Sequence, residues 1–147
     1  MRAIKRICFG LAACLPAMAL AASTAPAAGE RALREECSAF SQAGMRDCLA
    51  EKAENSQKAL RQAEEKMADT LSKWDEDNRY VGEAKKKLVA SNKKFAEYRE
   101  TQCELSASLS GGGAGNAHEV RRLACVSELN NRRAKQLRDA ASDLPLK

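Results

Sequence analysis

Aromatic side chains are nearly missing from this chain: one Trp, two Tyr and three Phe make up 4% of 147 residues. A core built around stacked rings is therefore excluded, and the interior must be lean and rich in alanine and leucine. Such a core gains most from covalent cross-links, each typically worth ~2–4 kcal/mol. No stretch shows the apolar–polar alternation of a half-buried strand, which excludes a sheet. His118 is the single histidine. A base needs an orienting partner and a nucleophile, and no serine or cysteine is placed for that role once the cysteines are bonded, so no constellation supports an enzyme and the chain reads as none. Close Cys-x-x-Cys spacing is absent, which speaks against a zinc site, and nothing calls for a cofactor.

What is present begins with an address. Arg2, Lys5 and Arg6 precede an apolar run from Ile7 to Leu20, and small residues at Ala19 and Ala21 suit a signal peptidase. The run is shorter and more alanine-rich than the ~20 strongly apolar residues of a membrane-spanning helix. The expectation is a signal peptide over 1–22 and export to the periplasm or cell envelope of a bacterium. Leu11-Ala12-Ala13-Cys14 also fits a lipoprotein cleavage box that would leave Cys14 lipidated, but apolar residues continue after it where a polar tether belongs.

Loss of the signal changes the charge and the cysteine count. The chain carries 25 basic and 20 acidic residues, and three of the bases leave with the signal, so a formal +5 becomes +2. The remainder is asymmetric: Glu30 to Arg79 holds 12 acids and 9 bases, Tyr80 to Lys147 holds 8 acids and 13 bases. An acidic half and a basic half do not favour nucleic acid over other partners. Cys37, Cys48, Cys103 and Cys125 remain, and an even set in an exported chain reads as two disulfides.

The rest of the chain is helical in pattern. A small-residue spacer over 23–29 is expected to be disordered. Glu30 to Phe40 can form a short helix carrying Cys37, and Ser41 suits the N-cap of a long one. In that helix Leu49, Ala53, Ser56, Leu60, Ala63, Met67, Thr70 and Trp74 alternate steps of three and four, the seam of a helix that packs on others. Asp75 to Asn78 makes a turn. A second seam follows at Val81, Ala84, Leu88, Ser91, Phe95, Tyr98, Gln102, Leu105 and Leu109. A third helix opens near Asn116 and carries Leu123, Ser127, Asn130, Ala134 and Leu137. The expected fold is all-α, one domain over 30–141: an up-down bundle of three main helices with a short leading one, and a tail over 142–147 that frays. Cys103 and Cys125 lie symmetrically about the glycine-rich break Gly111 to Gly115, so a hairpin folded there brings them level. Cys48 and Cys103 lie symmetrically about the other turn. Geometry permits either pairing.

Three segments resemble the LprI-like lysozyme-inhibitor domain family of bacterial exported proteins. Ser41-Gln42-Ala43-Gly44-Met45-Arg46-Asp47-Cys48 is similar to its T-Q-x-x-M-x-x-C opening, and Lys94 to Cys103 to its W-x-x-Y-R-D-x-x-C element, with Phe95 in place of tryptophan. Gly111 to Leu137 resembles its glycine loop, last cysteine and closing helix. The D-x-x-L-N-x-x-Y element keeps Leu60 but has Arg61 where the asparagine would stand. The resemblance implies neighbouring pairs, Cys37 with Cys48 and Cys103 with Cys125, and for some members lysozyme inhibition.

Bland readings suit most of the polar groups. Glu97, Glu100 and Glu104 lie beside Lys93, Lys94 and Arg99, so ion pairs within one helix explain them; Lys85-Lys86-Lys87 is a solvated face. Phe95, Tyr98 and Arg99 are read as structural, with the Tyr98 ring buried in the seam and Arg99 forking onto an acidic side chain of the first long helix. The break from Gly111 to His118 has the better functional claim, because Arg121 and Arg122 follow it at once. Asn116, His118, Arg121 and Arg122 are the candidate partner-binding residues. The expected partner is a lysozyme-type hydrolase or another envelope protein.

Overall fold

The computed structural model describes residues 29–113 and 115–147. The signal peptide expected over 1–22, the spacer up to residue 28 and Cys14 lie outside the described residues. Four helices follow in order: α1 (Glu30–Glu36), α2 (Gln42–Ser72), α3 (Asn78–Ser108) and α4 (Ala117–Ser142). Among the described residues there is no strand, only an isolated antiparallel bridge between Trp74 and Leu146.

Local chemistry sets the boundaries. The Ser41 hydroxyl accepts from the Gly44 N–H at 3.2 Å and starts α2. Glycine at this third helical position is explained by space: a Cβ there would sit 2.9 Å from the Phe40 Cβ. Asp77 caps α3 by accepting from the Arg79 N–H at 2.7 Å, inside the expected turn. The α3–α4 connection uses Gly111 and Gly115 at φ of 57° and 70°, the left-handed region that side chains resist. α1 is shorter than expected, since Cys37 is its C-cap and Ser38 bonds back to the Glu35 carbonyl.

α4 is the central element, packing against each of the other three, and most extensively against α2. These two run in the same direction in a constant register: Asn116 meets Gln42, Ser127 meets Lys52 and Asn130 meets Ser56. All seven seam residues that fall within α2 are buried or half-buried, as is Trp74 just beyond its end, and all five expected of α4 are buried. Leu33, Cys37, Leu49, Ala53, Val120, Leu123 and Ala124 form the core at the loop end, and Leu60, Ala63, Ala134 and Leu137 form it further along. Phe95 joins the second of these to a third cluster around Cys103, Cys125 and Leu129. The disulfides are Cys37–Cys48 and Cys103–Cys125, with Cα separations of 5.9 and 5.4 Å.

α3 departs from expectation. Its seam begins inward at Val81, Ala84, Leu88 and Phe95, but Tyr98, Leu105 and Leu109 are 50%, 54% and 67% exposed. Asn92, Arg99, Cys103 and Ser106 turn inward instead. A strict seven-residue seam drifts ~20° per heptad on a straight α-helix, so the four heptads from Val81 to Leu109 carry the stripe about 80° round. The bond from Cys103 to α4 fixes which face stays in.

The tail expected to fray is held. The Asp75 N–H donates to the Pro145 carbonyl at 2.9 Å and the Lys147 N–H to the Lys73 carbonyl at 3.0 Å. The α2–α3 turn has free backbone groups there, and residues 142–147 satisfy them.

Candidate functional site

The break between α3 and α4 emerges beside the start of α2, where the Asn116 side-chain amide donates to the Gln42 carbonyl at 3.4 Å. The first turns of α4 then place Asn116, His118, Arg121 and Arg122 at one end of the bundle. The Cys103–Cys125 bond holds that end about two helical turns below the loop.

The two arginines are not equivalent. Arg122 is already in a forked pair with Glu119, Nε and a terminal nitrogen each donating at 2.9 Å to a different carboxylate oxygen. That hydrogen bond holds the Glu119 carboxyl below its usual range, against burial, and raises Arg122 in turn. Arg121 makes no ion pair among the described residues and stands half-buried next to it. Across from them Arg46 at the start of α2 donates to Asp47 at 2.6 Å. His118 is exposed. Five charged groups thus line this end, and two of its three guanidiniums are spent on carboxylates of the chain itself.

Sequence reasoning missed one residue here. Phe40 stands just before the N-cap of α2 and is 58% exposed. An apolar residue preceding an N-cap ordinarily packs over the first turn, as the Phe40 Cβ does against Gly44, and an apolar residue in that place before Ser41 was the available signal.

Deeper in the bundle, Arg99 finds amides and not the carboxylate expected of it. One of its terminal nitrogens donates at 2.9 Å to both Gln57 Oε1 on α2 and Asn130 Oδ1 on α4. Asn130 is fully buried and donates in turn to Ser56 at 3.1 Å. Arg133 donates to Ser91 at 2.8 Å and Asn92 at 3.1 Å, and both guanidiniums lie about 6 Å from the Phe95 ring, at 6.0 Å for Arg99 and 5.8 Å for Arg133. This lattice stitches three helices and contains no pair of groups poised for proton transfer. Tyr98 beside it is half exposed, not buried as the seam suggested. Glu97 pairs with Lys94 at 2.8 Å, the within-helix reading of that row.

A cavity of about 410 Å³ opens at the far end, lined by Lys66, Arg138 and the docked tail. α2 and α4 both end there. Among the described residues no group of three His, Cys, Asp or Glu is placed to hold a metal, and no helix is long and apolar enough to cross a membrane.

The family description "Lysozyme inhibitor LprI" matches residues 34–137, well over half of the chain. The chain belongs to the LprI lysozyme inhibitor family. The match spans all of α2 and α3 and both disulfides, and reaches from within α1 to Leu137 of α4. No curated protein and no solved structure gives a match.

Proposed function

We propose that this protein is an exported, non-catalytic inhibitor of lysozyme-type glycoside hydrolases, acting in the periplasm or cell envelope. Membership of the LprI family carries the reading. Two disulfides fit an oxidising compartment. Hydrolases of this kind work with two carboxyl groups in a cleft. The glycine loop is narrow enough in side-chain bulk to enter one, and Arg121 then offers an unpaired guanidinium to a carboxylate. Asn116 and His118 supply hydrogen bonds from the same turn, while Arg122 must leave or share Glu119 to take part.

The test is a titration of lysozyme with purified mature protein. The expected outcome is loss of lytic activity at micromolar inhibitor, and full activity at that excess would end the proposal. If inhibition is found, Arg121→Glu should weaken it more than Arg122→Glu, because only the second removes a cation already neutralised.

The second reading is an interaction module of the envelope without inhibitory activity. The apolar shoulder left outside by α3 favours it. Sedimentation separates the two: a tight dimer that covers this shoulder supports the module, a monomer the inhibitor.

A further inference from the structure

We propose that the cavity where α2, α4 and the C-terminal tail meet is a binding site for a single-chain amphiphile, an alkyl chain ending in a carboxylate or phosphate. It lies at the opposite end of the bundle from the glycine loop and is independent of the inhibitory reading.

The space is of ligand size: about 410 Å³, within the range of roughly 300–1,000 Å³ usual for small-molecule sites. The tail forms one wall through Leu144 and Leu146. It is pinned on both sides of Leu146, by the Pro145 carbonyl accepting from Asp75 and the Lys147 N–H donating to Lys73. Leu146 is nevertheless 53% exposed, so the wall holds an apolar side chain that the core does not cover. Ala141 adds to the apolar lining. Thr70 and Ser142 bring hydroxyls, but each donates to a carbonyl of its own helix, Thr70 to Lys66 at 2.8 Å and Ser142 to Asp139 at 2.7 Å. Neither has a proton left to offer a ligand.

Lys66 and Arg138 complete the lining. Both are exposed, and neither side chain makes an ion pair or hydrogen bond among the described residues. The acids next to them along the helices do not neutralise them: Asp69 pairs with nothing among the described residues, and Asp139 is taken by Lys135 at 2.6 Å. Both cations stem from positions a turn or more before the helix ends at Ser72 and Ser142, outside the reach of the negative partial charge there. Every unused side-chain donor of the cavity is therefore cationic, and the rest of its lining is apolar or already bonded. A neutral polar molecule would leave its own donors unmet, and a bare inorganic anion would leave the leucine wall wet. An alkyl chain against Ala141, Leu144 and Leu146, with an acceptor-only head at Lys66 and Arg138, satisfies both parts.

The experiment titrates decanoate and decyl phosphate, each below its micelle concentration, into the purified mature protein by calorimetry. At least one of them should bind, one molecule per chain, while acetate and inorganic phosphate should not. Decanol, which lacks the charge, and the variant Lys66→Gln with Arg138→Gln should each bind about tenfold more weakly or worse. Leu146→Ser, which keeps both cations, should also weaken binding. Lys86→Gln with Lys87→Gln, at exposed lysines of α3, should match wild type. All the altered side chains are exposed, so thermal midpoints without ligand should hold. Hydrogen exchange places the ligand: the Asp75 and Lys147 amides that pin the tail should slow when it binds. Absence of binding by both amphiphiles at millimolar concentration would overturn the site. So would decanol binding as tightly as decanoate, unchanged binding by the Lys66 and Arg138 variant, or binding that leaves those two amides unprotected. None of these results touches the inhibitor reading, which the lysozyme titration decides.

Discussion

Removing the Cys103–Cys125 bond should unfold the molecule in a particular order. α3 buries only two residues fully, Cys103 and Ser106, so its loop-proximal half has little apolar area with which to hold itself to α4. The cross-link closes a separation of 22 residues, which the chain-entropy relation converts to about 3 kcal/mol. Both sulfurs are also core atoms, packed with Leu129, and truncating each costs about 1 kcal/mol more. Cys103→Ala with Cys125→Ala should therefore lose about 5 kcal/mol, read by denaturant melts. The Cys37–Cys48 bond closes 11 residues, and by the same relation its removal should cost nearly as much entropy, about 3 kcal/mol. What differs is location. In hydrogen exchange of the Cys103/Cys125 variant, amides of residues 98–108 should open well below the global free energy while α2 and α4 stay protected. In the Cys37/Cys48 variant, α1 should open first and α3 should not. The reasoning fails if the first variant loses under 1 kcal/mol, or if its α3 amides still exchange only through global unfolding.

Two glycines within helices should respond with opposite signs. Gly82→Ala meets nothing within 4 Å and should stabilise by about 0.5–1 kcal/mol, the ordinary helical gain, whereas Gly44→Ala drives its Cβ to 2.9 Å from the Phe40 Cβ and should destabilise by about 1 kcal/mol or more in thermal melts. Burial raises the Glu64 carboxyl above its usual range, although Arg133 and Arg99 pull it down. Ionised Glu64 thus costs stability at neutral pH, and that cost fades as pH falls through its raised value and is gone below the ordinary carboxylate range. Glu64→Gln should accordingly be more stable than wild type at pH 7 and equal to it near pH 3 in parallel denaturant titrations.

How much of this could be read from residue order is decided by distance along the chain. The seams of α2 and α4, the Ser41 cap and the turn at Asp75 to Asn78 are local patterns, and each was legible. The cysteine pairing was not, since two symmetric solutions existed until the family likeness chose one. Candidate residues of the loop were legible as a set, because a glycine break and the turn that follows it always share an end. Their division of labour was not: Glu119 takes Arg122 and leaves Arg121, which depends on side-chain geometry in the folded helix.

The sequence by itself thus determined which segments are helical, which sides of α2 and α4 are apolar and where the chain reverses, because these follow from periods of three and four residues and from backbone-permissive glycine. Tertiary structure alone decided the rotation of α3. A seam that drifts on its helix offers several faces, and only the bond from Cys103 to α4 selects one. That selection buries Arg99 against Gln57 and Asn130 and turns Tyr98, Leu105 and Leu109 to the outside.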